Sequence, residues 1–318
     1  MLDSFGRRIN YLRVSLTDRC NLRCKYCMPE KGIDNKLSHD DLLTLEELYL
    51  LIEKFVDLGI DKIRFTGGEP LVRKGIINLI KEVNGLEKVR ELTLTTNGLL
   101  LKDMAQSLKD AGINRVNISL DTLNPDKYHE ITRGGDISLV LDGIEEAMKV
   151  GLTPIKINTV LIGGFNEDEI SNLVDLTRKG IDVRFIELMP IGEAMDFAED
   201  KFVSNRKVLD VIRDLVPVET EDISSPAVYY RLPDVEGKVG IINPISCKFC
   251  NNCNRIRLTS TGKLKTCLHS NREIDLKAAI RNNENIGEVI KEGILSKEES
   301  HHLEDREYIY RNMNQIGG

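Results

Sequence analysis

The sequence predicts an α/β fold built on a parallel sheet. Three observations carry that expectation. Short β-branched runs recur six times between residues 11 and 190, amphipathic helical patterns fill the gaps, and most helical runs stop at a glycine. Such a rhythm closes as a doubly wound sheet or as a full or partial barrel, and in each case the binding site sits at the carboxyl ends of the strands.

The first strand-like run is YLRVSLT (11–17), which breaks into a polar loop holding three cysteines. In TLEELYLLIEKFVDLG (44–59), Thr44 and Glu47 stand at capping-box spacing and Leu45, Leu48, Leu51, Ile52, Phe55 and Val56 form one helical face. Further strand-like runs lie at 61–68, 89–98, 113–122, 154–164 and 182–190, with helical patterns at 75–86, 101–112, 138–151 and 167–180. From residue 191 the rhythm breaks. IGEAMDFAEDKF (191–202) reads as loop, 204–216 as a helix, and VYYRLP and KVGIINP as short strands. Residues 254–268 read as a hairpin around a Thr-Gly turn that returns Cys267 towards Cys250 and Cys253. Helical stretches at 273–283 and 286–300 precede a polar tail, RNMNQIGG, with no local hydrophobic anchor. The expected organisation is a barrel-like unit over 1–200 and a smaller module over 201–318.

Composition excludes several function classes. With 44 basic against 51 acidic residues and a net charge of -7, the chain lacks the basic balance of a general nucleic-acid binder. No apolar stretch approaches the ~18 residues that cross a bilayer, and the start MLDSFGRRINYLR has no signal-peptide core. A cytoplasmic protein without nucleic-acid or membrane partners is expected. Any anionic ligand must then be met by local arginines.

The seven cysteines fall in two groups, Cys20, Cys24 and Cys27, then Cys247, Cys250, Cys253 and Cys267. An odd count in a chain without a signal peptide favours metal or redox chemistry over disulfides. A compact triplet on a loop converges three thiolates and leaves one metal position open, whereas a structural zinc wants four ligands. Zinc completed by a remote residue or water remains the plainer alternative. In the second group, spacing alone fits a zinc knuckle of four cysteines as well as an open cluster.

CNLRCKYC, preceded by YLRVSLT and followed by FTGGEP, resembles the signature of the radical S-adenosylmethionine (SAM) superfamily. The resemblance implies a partial (β/α)6 TIM-type barrel and a 4Fe-4S cluster on Cys20, Cys24 and Cys27, its fourth iron chelated by SAM. It further implies that Tyr26 lies near the adenine, that Gly67, Gly68 and Glu69 belong to the loop holding the SAM ammonium, and that Ser119 and Met189 are SAM-side contacts. FCNNCNRIRLTSTGKLKTCL (249–268), with LTTNG, NISLDTL, IKINTV and RFIELMPIG, is similar to the GTP 3',8-cyclase (MoaA) family of molybdenum cofactor biosynthesis.

That similarity implies a second 4Fe-4S cluster on Cys250, Cys253 and Cys267, its open iron facing guanine, with Cys247 a departure from the pattern. It also implies GTP contacts at Arg13, Arg64, Thr95, Lys156, Arg184, Arg255 and Arg257, the last two counted with the first cysteine triplet as catalytic. The family's reaction would be abstraction of the ribose 3' hydrogen by a 5'-deoxyadenosyl radical, giving 3',8-cyclo-7,8-dihydro-GTP. A flavodoxin or ferredoxin would supply electrons, cyclic pyranopterin monophosphate synthase would take the product, and the Gly-Gly tail would be a mobile arm reaching the cavity. The alternatives are a peptide-modifying radical SAM enzyme with an auxiliary cluster, or a non-catalytic two-cluster electron carrier.

Overall fold

The computed structural model describes residues 1–32, 41–220, 222–301 and 309–317. In chain order the strands are β1 Tyr11–Ser15, β2 Lys62–Thr66, β3 Glu91–Thr96, β4 Arg115–Ser119, β5 Lys156–Leu161, β6 Asp182–Glu187, β7 Val216–Val218, β8 Ala227–Arg231, β9 Val239–Ile242, β10 Arg255–Leu258, β11 Lys263–Lys265 and β12 Ile274–Asp275. The helices are α1 Leu45–Asp57, α2 Ile76–Asn84, α3 Leu101–Asp110, α4 Pro125–Thr132, α5 Ile137–Lys149, α6 Ile170–Asp175, α7 Ala194–Lys201, α8 Arg206–Val211, α9 Leu276–Arg281, α10 Ile286–Leu295 and α11 Met313–Ile316.

Strands β1 to β6 pair in parallel and in sequence order, as the βα rhythm requires. The C-terminal strands do not form a separate sheet. β10 adds in parallel to the free edge of β1, and β9 adds in parallel to β6, so the order runs β12-β11-β10-β1-β2-β3-β4-β5-β6-β9-β8-β7. The sheet is open rather than closed, a partial barrel lengthened at both edges.

Alternation along the strands decides what lies inside. Leu12, Val14, Ile63, Phe65, Leu92, Leu94, Val116, Ile118, Ile157, Val183, Phe185, Ile256 and Leu258 are buried in the main apolar core. Because successive side chains point to opposite faces, the residues between them share the other face. In register across the sheet these are Arg257, Arg13, Arg64, Thr93 and Arg115 in one row, then Thr95, Asn117, Lys156 and Asp182 in the next. The inner face is therefore polar and cationic.

The local signals explain most helices. Thr44 and Glu47 form the capping box of α1, which buries Leu48, Leu51, Ile52, Phe55 and Val56. The structure departs from the expectations at five places. The loop between β4 and α5 holds a helix, α4, started by Asn124, whose side chain accepts from the Asp126 and Lys127 amides. Its eight residues are mostly polar and bury only Tyr128, Ile131 and Thr132, too little to show as periodicity.

The helical run at 167–180 breaks into a 3-10 turn, α6 and a second 3-10 turn, where the Thr177 hydroxyl bonds back to the Val174 carbonyl at 2.7 Å. The stretch read as loop at 191–202 contains α7, which buries only Ala194 and Ala198 one turn apart, whereas the helix expected at 204–216 ends at Val211 and Val216 opens β7. The polar tail is anchored after all, because Ile316 is fully buried against Ile191 and Ile309.

Asn205 knits the added strands to the barrel. Its side-chain amide donates to the carbonyls of Phe185 on β6 and Ile242 on β9, at 3.1 and 2.9 Å. Asn205→Ala leaves two buried carbonyls without this donor and is expected to cost about 2 kcal/mol, read as a lowered midpoint in chemical denaturation; an unchanged midpoint would show that the joint does not depend on this side chain.

Candidate functional site

The loop after β1 carries the first cysteine triplet, and the missed helix α4 holds that loop in place. Arg133, at the end of α4 with φ +54°, donates to the carbonyls of Arg23 and Met28, both at 2.9 Å. Arg23 and Lys25 amides donate in return to the Thr132 and Ile131 carbonyls. Within the loop the Cys27 amide bonds the Cys24 carbonyl at 2.9 Å. Cys20 Sγ accepts from the Leu22 amide at 3.4 Å and from Asn97 Nδ2 at 3.7 Å. Burial, reinforced by the neighbouring thiols, pushes Cys24 well above the usual thiol range and Cys27 up to about 12. Three such thiols ionise together only if a cationic centre takes up the charge.

The Gly-Gly-Glu-Pro turn at the end of β2 packs against the start of the same loop. A Cβ on Gly68 would fall against the backbone of Asp18 and Arg19, and one on Gly67 against the Thr17 carbonyl, so only glycine permits this approach. The Gly68 and Glu69 amides bond the Thr17 and Arg19 carbonyls at 2.7 and 2.8 Å. Glu69 lies behind the turn, fully buried. Its carboxylate accepts from the Leu71 amide, the Thr96 hydroxyl and the Asn97 amide at 3.0, 2.8 and 2.7 Å. Burial raises it to about 7 against the pull of those three donors.

Cys20, Cys24, Cys27, Cys250, Cys253 and Cys267 all line one cavity, with Tyr26, Gly67, Gly68, Ser119, Met189, Arg13, Thr95, Arg255 and Arg257. Arg64, Lys156 and Arg184 share the sheet face but stand outside this lining. Cys247 also stands outside it and is exposed. Among the described residues no three His, Cys, Asp or Glu side chains close on a single metal ion. Both triplets offer thiols to the cavity, and soft thiolates suit iron-sulfur clusters as they suit zinc.

Several functional side chains escaped the sequence reading. Arg7 reaches from the N-terminal segment to the Cys250 carbonyl at 3.0 Å and to the Glu298 and Glu299 carbonyls, while Asp3 holds its other edge at 2.6 Å. Lys297, buried, bonds the Arg255 carbonyl at 3.1 Å and the Thr266 carbonyl. Burial would raise the Cys253 thiol, but Lys297 and Arg255 draw it below the ordinary value. His269 sets Nε2 3.2 Å from the Met189 sulfur and packs edge-on against His301. The tail enters the same space, since Asn314 donates to the Asp18 carbonyl and Arg257 to the Gly317 carbonyl at 3.1 Å; the last residue, Gly318, lies outside the described residues. None of these carries a recognisable spacing; each is a lone polar residue whose role depends on distant chain segments.

Asp121 was missed as well. Tyr26 donates its hydroxyl to Asp121 Oδ2 at 2.6 Å, and Oδ1 accepts from the Val160 amide at 2.9 Å, which ties the cysteine loop to β5. Burial raises Asp121 to about 6, while the Tyr26 bond lowers it. A carboxyl raised in the folded state favours folding below its unfolded value of 3.8 and loses that contribution as pH rises through about 6. Tyr26→Phe removes the donor that steadies the ionised form. Its melting temperature is therefore expected to fall further below the parent at pH 8 than at pH 5; an equal gap at both would separate Tyr26 from Asp121 ionisation.

Two family models match the chain, that of the radical SAM superfamily over residues 14–177 and that described as Molybdenum Cofactor Synthesis C over residues 181–303. The GTP 3',8-cyclase of Peptoclostridium acidaminophilum is 60% identical over 321 residues, covering all of this chain and 98% of the relative. Those of Alkaliphilus oremlandii and Pelotomaculum thermopropionicum are 56% and 48% identical, each over the full length of both chains. Among solved structures, Streptococcus suis SuiB bound to S-adenosylmethionine superposes with a TM-score of 0.63 at 15% identity, over 98% of this chain and 78% of that one. Methylornithine synthase (PylB) gives 0.52 at 18% identity over 66% of this chain and 63% of its own. At such identities the likeness is one of fold, and it agrees with the partial barrel.

Proposed function

We infer the function from a fixed premise: the chain belongs to the radical SAM superfamily and, within it, to the GTP 3',8-cyclase family. It is a radical SAM enzyme, and a 4Fe-4S cluster and SAM go with that family. We propose that it converts GTP to 3',8-cyclo-7,8-dihydro-GTP, the first step of molybdenum cofactor biosynthesis. The observation that supports this reading best is the opening of both cysteine triplets into one cavity that Arg13, Arg255 and Arg257 also line.

Cys20, Cys24 and Cys27 would hold the SAM-binding cluster, and Cys250, Cys253 and Cys267 a second 4Fe-4S cluster beside the substrate base. When bound, the first cluster would supply the one-electron reductive cleavage of SAM that opens the reaction at the ribose 3' carbon of GTP. The protein's own part is orientation. Tyr26, Ser119, Met189 and the Gly67-Gly68 turn, backed by Glu69, would seat SAM, the glycines by letting backbone come close to its methionine end. Arg255 and Arg257 leave the second triplet directly and would keep the guanine and first phosphates against it. Arg13, Arg64, Thr95, Lys156 and Arg184 extend the positive face along the sheet for the rest of the triphosphate.

Burial draws the Arg64 and Arg257 guanidinium groups down to about 10, a cost that an anion among them would offset. A flavodoxin or ferredoxin is proposed as electron donor and cyclic pyranopterin monophosphate synthase as the enzyme that consumes the product. No helix of the described residues is long and apolar enough to cross a membrane, and seven free thiols suit the reducing cytoplasm proposed for it.

Anaerobic reconstitution followed by metal counting and assay with dithionite, SAM and GTP tests the reading. The parent is expected to bind about eight irons and Cys250→Ser about four, with 5'-deoxyadenosine and cyclised GTP formed only by the parent. Cys247→Ser is expected to keep both clusters and activity. Four irons with one zinc in the parent, and loss of that zinc in Cys247→Ser, would mean that Cys247 closes the second site.

A further inference from the structure

Asn117 sits on β4 between two positions already proposed to bind GTP, in register with Thr95 on β3 and Lys156 on β5. Register partners of parallel strands project from one face, so Asn117 shares the polar inner face with Thr95 and stands, like Lys156, outside the cavity lining that Thr95 joins. It is fully buried.

Its orientation is set by a relay. Glu91 accepts from Arg115 Nε at 3.0 Å and from NH2 at 2.7 Å, and Arg115 NH1 donates to Asn117 Oδ1 at 3.0 Å. A guanidinium can only donate, so the amide oxygen must face Arg115 and the amide nitrogen must face away from it. That nitrogen has no hydrogen-bond acceptor. An unpaired buried donor is costly, and this one is held in place rather than free to turn. Its inner-face neighbours include further unmatched polar atoms: the Thr95 hydroxyl, the Arg184 Nε and NH2 groups and one acceptor, the Asn158 Oδ1. The unmatched donors outnumber that acceptor, and a ligand rich in acceptor oxygens would answer the excess.

We propose that Asn117 is a phosphate-binding residue of the GTP site, presented as a donor by the Glu91–Arg115 pair and reading the triphosphate rather than the nucleoside. The inference rests on the functional reading above and adds to it a neutral contact set among cations. A neutral amide gives direction where Lys156, already paired with Asp182 at 3.1 Å, gives charge.

The test is equilibrium dialysis of the reconstituted enzyme, under anaerobic conditions, against GTP, inorganic triphosphate and guanosine. Asn117→Asp keeps the shape and the acceptor for Arg115 but turns the donor into an acceptor. It is expected to weaken GTP and inorganic triphosphate at least tenfold and to leave guanosine within about twofold. Arg115→Lys, which conserves charge but cannot bond Glu91 and Asn117 together through one fork, is expected to give a smaller loss with the same selectivity.

Unchanged triphosphate affinity in Asn117→Asp overturns the inference, as does a loss confined to guanosine. If Asn117→Asp does not fold, unchanged triphosphate affinity in Arg115→Lys overturns it instead. A parent that binds no GTP would sink the functional reading itself, whereas a parent that binds GTP and an Asn117→Asp variant that matches it would sink this inference alone.

Discussion

Positive charge held inside a parallel sheet is the constraint from which much of this structure follows. Arg13, Arg64, Arg115 and Arg257 lie in one register row of the inner face, with Lys156 in the next row and Arg184 beyond it. The carboxylates that answer them there, Glu91 and Asp182, are taken by Arg115 and Lys156. A sheet can carry such a face only if its other face supplies the folding energy. That is the role of the Leu, Ile, Val and Phe residues that alternate with the cations and pack under the helices. The two faces belong together: the apolar one keeps the chain folded while the other carries the cations.

The cysteine loops answer a similar demand with the opposite sign. The thiols of the first triplet, raised by burial and by one another, favour a bound cationic centre, and each triplet is braced from outside its own motif. Helix α4 and Asp121 brace the first, Arg7 and Lys297 the second. The sheet brings the two kinds of group to one cavity, the arginines on strands and the thiols on the loops beyond them.

How much of this was legible depends on range. The βα rhythm, the capping box at Thr44, the hairpin before Cys267 and both cysteine triplets are local patterns, and the structure has them where the sequence places them. Helix α4 was not legible because eight mostly polar residues leave little periodicity, and α7 because two small alanines carry its buried face. The extension of the sheet by β9 and β10 was not legible at all, since nothing local in RIRL or VGII says that their partners lie some 240 and 55 residues away. Asp121, Asn117, Lys297 and Arg7 were missed for the same reason. A single polar residue reads as solvent-facing until its strand neighbours are known.

The pairing of β1 with β10 also bears on how the protein matures. A chain made from its N-terminus has β1 early, yet the neighbour on one of its edges is residues 255–258, among the last quarter to emerge. The first cysteine loop leaves from β1 and the second triplet flanks β10, so the cavity they share cannot exist until synthesis is nearly complete. The two cysteine loops therefore reach one cavity together, in an almost finished fold.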